Sequence, residues 1–105
     1  MNDEELETHF ARLRDRFRLR LSTYRDRLVE VRNDYVARAD EQVVRRMRSI
    51  AHELAGAGGT FGYPDLSEFA AELETAADSV LYGQEQPVVV AAPLRQLLRE
   101  LELTL

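Results

Sequence analysis

The chain has 105 residues, 45% of them hydrophobic and 31% charged, with a net charge of −5 and no cysteine. This is enough for one hydrophobic core, and it excludes disulfides, thiol catalysis and thiolate metal sites. No window approaches the length of a membrane span, and the acidic start Asn2-Asp3-Glu4-Glu5 is unlike a signal peptide. The sequence pI near 5.0 argues against nucleic acid as the main partner. One cytoplasmic domain over residues 1–105 is expected.

The charge is unevenly divided. Residues 1–50 hold 12 arginines against 10 acids, a net of +2, and residues 51–105 hold 2 against 9, a net of −7. All fourteen basic residues are arginine.

The first predicted helix has the plainest pattern. Leu6, Phe10, Leu13, Phe17, Leu21, Tyr24, Leu28, Val31 and Tyr35 advance in steps of three and four, the helical period. Arg12, Arg14, Arg16, Arg18, Arg20, Arg25 and Arg27 lie among them with interspersed acids. They are expected to form a solvated face, with Glu30 and Asp34 near Arg27 and Arg38. His9 has no partner histidine at ligand spacing and reads as surface.

Ala37 to Asp40 is a short connection, and Asp40 is the expected N-cap of a second helix from Glu41 to about Phe61. Val43, Met47, Ile50, Ala51, Leu54 and Phe61 share one face. His52 lies roughly 150° from it at the helical period, pointing at water. On the face of His52, Gly56 and Gly59 follow by four and seven residues, and Arg48 and Arg45 precede by the same intervals. Three glycines (Gly56, Gly58, Gly59) cost a helix roughly 2–3 kcal/mol relative to alanine. Either the bare backbone makes room for a bulky partner beside the imidazole, or the glycines end the helix or permit close helix packing. Both readings remain open at this level.

Gly62 fits the left-handed position after the helix, and Pro64 fits the first turn of a third. Its buried stripe is Leu66, Phe69, Ala70, Leu73, Ala77, Val80 and Leu81. Gly83 to Gln86 is a predicted loop. The last helix carries Val90, Leu94, Leu97, Leu98, Leu101 and Leu105, opening either at Pro87 with a bend at Pro93 or only at Pro93. Four amphipathic helices with short connections predict an all-α, antiparallel up-down-up-down four-helix bundle, with His52 on an exposed ridge.

No serine or cysteine nucleophile is spaced for a base and an orienting acid, and no second histidine is placed to share a metal. The glycine-rich segment lacks the lysine and the preceding strand of a P-loop. No ATP site, metal or cofactor is therefore expected. An accessible imidazole, substantially neutral at pH 7, can itself attack an activated phosphoryl group.

His52-Glu53-Leu54-Ala55-Gly56, then Gly58-Gly59-Thr60-Phe61-Gly62, Leu66, Leu73 and Glu74, resemble the histidine phosphotransfer (HPt) domain family over nearly the whole chain. The resemblance implies a phosphorelay carrier and not an enzyme: His52 would exchange a phosphoryl group with aspartates of receiver domains, with a hybrid histidine kinase a further partner. Gly56 and Gly59 would lie where the receiver docks, beside Ser49 and Ala55; any magnesium would belong to the receiver. The family usually has lysine three residues after the histidine, where this chain has Ala55. Side chains of a helix lean towards its N-terminus, so the His52 ring should lie over Ser49 and Arg48, and Arg48, with Arg45 further off, is expected to supply the missing cation.

Two alternatives stand beside this reading. One is a receiver-binding helical adaptor, a pseudo-HPt that carries no phosphate. The other is the dimerisation and phospho-acceptor domain of a histidine kinase, whose acceptor box His52-Glu53-Leu54 also resembles. A monomer is expected, without nucleic-acid or membrane partners.

Overall fold

The computed structural model describes residues 2–105. Four helices, α1 (Asp3–Ala37), α2 (Glu41–Thr60), α3 (Pro64–Leu81) and α4 (Ala91–Thr104), follow one another, with a 3₁₀ turn at Pro87–Val90 leading into the last. α1 packs on α2 and α4, and α3 packs on the same two. Each helix thus lies beside its neighbours in sequence, as in an up-down-up-down four-helix bundle.

Local chemistry fixes the boundaries. Asn2 Oδ1 accepts from the Glu5 amide at 2.8 Å while the Glu5 carboxylate accepts from the Asn2 amide, a capping box that opens α1. Asp40 caps α2 through the Val43 amide at 3.0 Å. The chain leaves α2 through Gly62 at φ +87°, a left-handed conformation open to glycine, and Pro64 is the first residue of α3.

The start of α4 differs from both sequence-based expectations. Pro87 opens a 3₁₀ turn and the α-helix begins at Ala91. Pro93 is then third in α4, within the first turn, where a missing amide removes no intrahelical bond.

The core is built from Phe17, Leu21, Tyr24, Leu28 and Val31 of α1, Val43, Val44, Met47, Ile50, Ala51 and Leu54 of α2, Leu66, Ala70, Leu73 and Ala77 of α3, Val90 of the 3₁₀ turn, and Leu94, Leu97, Leu98 and Leu101 of α4. Phe61, expected on the same face of α2, follows the end of that helix and is half-buried. At one end Phe17 stacks on Phe61 (centroids 5.1 Å apart) and meets Tyr63 at 5.4 Å, closing the core with aromatic rings. α1 does not stop there. From Asn2 to Arg16 every residue is exposed except the half-buried Ala11 and Leu13. These fourteen helical residues from Asp3 rise about 21 Å. The molecule is accordingly 52 Å long but only 22 by 19 Å across. Leu6 and Phe10 continue the core stripe in sequence, yet they are 42% and 50% exposed.

The arginines of α1 pair differently from the expected local pattern. Glu30 and Asp34 both face Arg46 of α2, at 3.9 and 2.7 Å, Arg27 reaches Glu53 of α2 at 3.3 Å, and Arg38 turns to Asp40. With α2 alongside, one guanidinium fits between two carboxylates across the seam, which no spacing within α1 reveals.

Candidate functional site: an imidazole displayed on the α2–α3 seam

α2 and α3 approach closely at Gly58. A Cβ built there would lie 3.3 Å from the Ser67 amide nitrogen and 3.4 Å from the Tyr63 carbonyl oxygen, both backbone. Next to it the Ser67 hydroxyl donates to the Ala55 carbonyl at 2.6 Å. Gly56 has open space where a side chain would be. Gly59 is intermediate: its Cβ position lies 3.4 Å from Ser67 Oγ, an ordinary contact. Of the two readings of the glycines, close packing holds at Gly58 and room beside the imidazole holds at Gly56.

His52 stands one turn before Gly56, on the outer face of α2, with 64% of its side chain exposed. Its Nδ1 lies 2.8 Å from Glu74 Oε2 on α3. A carboxylate offers only acceptors, so in the neutral ring this contact places the hydrogen on Nδ1 and the lone pair on Nε2, which has no hydrogen-bond partner among the described residues. The same Glu74 oxygen forms an ion pair with Arg48 Nη2 at 3.3 Å, and Arg48 Nε donates to Asp78 Oδ1 at 3.1 Å. His52, Glu74, Arg48 and Asp78 thus form one chain across the seam. Glu74 is only 20% exposed, which holds the ring's partner in place.

The sequence-predicted residues divide over two flanks of this ridge. Arg48, Ala55 and Gly59 lie on the side of α3. Ser49 and Arg45 line a shallow groove against α1 with Arg27, Glu30 and Arg46. Arg45 faces Glu41 one turn back, its Nε 3.1 Å from the carboxylate. Seven residues before His52, it stands about 10 Å away along the helix axis. Glu53, next to His52 in sequence, turns to Arg27 of α1. Ala55 is half-buried beside Ser67.

Glu74 entered the sequence reading only as part of the resemblance, and Asp78 and Ser67 not at all. The available signal was the spacing of Ser67, Glu74 and Asp78, which repeats at seven and eleven residues and places all three on one face of α3.

Fold and site together define a helical scaffold that holds one nucleophilic imidazole out to solvent, oriented from behind by a carboxylate. The model of the Hpt domain matches residues 4–104, and the chain belongs to that family. Hpt domains are the phosphoryl carriers of phosphorelays and exchange phosphoryl groups with receiver domains. No curated protein and no solved structure gave a match. No helix among the described residues is long and apolar enough to cross a membrane.

Proposed function

We propose that the chain takes a phosphoryl group from a receiver aspartate onto His52 Nε2 and returns it to another. The observation that carries this is the pairing of Nδ1 with Glu74 on a ring that is otherwise exposed. The Nε2 lone pair attacks phosphorus as the bond to the aspartate oxygen breaks, and the carboxylate leaves with the bonding electrons. No proton needs to move. The ring keeps its Nδ1 hydrogen and becomes cationic, and the Glu74 carboxylate at 2.8 Å offsets that charge.

Arg48 supports the step indirectly. Its guanidinium is already engaged by Glu74 and Asp78, so it tempers the negative charge that an arriving phosphoryl dianion would meet. Ser49, Ala55, Gly56 and Gly59 form the surface on which a receiver rests, and Gly56 keeps the approach to the ring open.

A phosphorylated receiver incubated with the chain should transfer acid-labile label to the wild type and none to His52→Gln. Label on His52→Gln, or none on the wild type with a panel of receivers, would sink the proposal. Arg48→Ala should slow transfer about tenfold, the scale of one uncompensated charge near the reacting group, whereas Arg45→Ala should change little. Equal rates for Arg48→Ala and the wild type would remove Arg48 from the site.

Ala55 and the engagement of Arg48 favour one second reading, a receiver-binding adaptor that carries no phosphate. Receiver binding retained without any label in the wild type is its signature.

A further inference from the structure

The part of α1 that extends beyond the aromatic end of the bundle carries an apolar stripe with no neighbour. Leu6 and Phe10 are exposed and Leu13 is half-buried, all in register with the buried Phe17. A free helix of this length is marginal in water, and an apolar stripe left open along it marks a contact surface.

The charges beside the stripe say what fits there. At the helical period, Asp3, Glu7, Arg14 and Arg18 follow one edge of the stripe, and Glu5, Arg16 and Arg20 follow the other. Each edge is acidic towards the N-terminus and basic towards the bundle. Arg12, Arg14, Arg16 and Arg18 form no ion pair within the chain among the described residues, and neither do Asp3 and Glu7.

We propose that residues 3–20 pair antiparallel with the same residues of a second copy of this chain, joining two bundles end to end. With Phe10 opposite Leu13, Leu6 of one copy reaches Phe17 of the other, where Phe61 and Tyr63 are half-buried. In that register the edges meet with opposite sign: Asp3 faces Arg18, Glu7 faces Arg14, and Glu5 faces Arg16, each pair occurring twice by symmetry. A parallel pair would set acid on acid and arginine on arginine. An acidic or basic partner of uniform charge would match only half of each edge. The paired segment is about 27 Å long, at the small end of specific interfaces, which begin near 1,200 Å². The dimer therefore dissociates on dilution, and it replaces the expectation of a monomer.

Sedimentation equilibrium of the whole chain, from about 10 μM to about 1 mM, tests this. The expected result is a reversible monomer–dimer equilibrium with no larger species. Phe10→Glu should abolish the dimer and leave the circular dichroism of the bundle intact. Glu7→Arg and Arg14→Glu should each raise the dissociation constant at least about fivefold, because each turns two attractive pairs repulsive. The double variant Glu7→Arg/Arg14→Glu should return to within about threefold of the wild type, since the pairs reform with their signs exchanged. A wild type that stays monomeric at the highest concentration overturns the proposal, as does a dimer indifferent to Phe10→Glu. A double variant no tighter than either single variant overturns the antiparallel register.

Discussion

The α2–α3 seam and the free end of α1 are built from the same helical period, yet they differ in almost every physical respect. At the seam, Gly58 brings two backbones together, Ser67 bonds across to Ala55, and Leu54 and Leu73 are fully buried. At the free end, Leu6 and Phe10 occupy equivalent positions of an apolar stripe and face solvent. Period establishes which side of a helix is apolar; burial needs a second surface at the same height. The seam has one because α2 and α3 are joined by a short turn and run past each other over most of their length. α1 outlasts its neighbours.

The contrast can be broken or sharpened by substitution. Leu54→Ala removes a fully buried side chain from the seam and should lower the unfolding free energy by about 2–5 kcal/mol, measured by urea denaturation. A loss under about 1 kcal/mol would mean that the seam repacks freely. Gly58→Val should cost about 1–3 kcal/mol, since its methyl groups would press on the Ser67 and Tyr63 backbone and not on movable side chains. Gly56→Ala, one turn from His52 and facing open space, should have the opposite sign and stabilise by about 0.5–1 kcal/mol. The same substitution narrows the approach to the imidazole, so phosphoryl transfer should fall while stability rises; a rise in both would detach Gly56 from the docking surface. Leu6→Ala, tested at low micromolar concentration where the monomer prevails, should change stability by less than about 0.5 kcal/mol.

The helix ends were legible because their chemistry is local: Asp40 caps α2, Gly62 reverses the chain, and Pro64 starts α3, each within a few residues of what it controls. The exposed position of His52 was legible too, as it needs only the helical period. What escaped was set by elements distant in sequence. Glu74 meets His52 across 22 residues and Asp78 meets Arg48 across 30; neither contact exists until Gly58 fixes how deeply α2 and α3 interlock. Arg46 between Glu30 and Asp34 is the same lesson on the α1 side. The opening of α4 was ambiguous because Pro87 and Pro93 each satisfy the rule for a first turn, and the 3₁₀ turn at Pro87–Val90 accommodates both.

The length of α1 bears on how two linked carriers would operate. His52 sits well past the middle of α1, level with the Arg27–Glu53 pair, about 25 Å along the axis from the midpoint of the proposed paired segment. Two acceptors joined through those tips would stand about 50 Å apart lengthwise, further than the width of a small domain. Each could load and unload without hindering the other, so occupancy should rise hyperbolically with donor, with a Hill coefficient of about one, and the pair would act as a two-place phosphate store with no cooperativity.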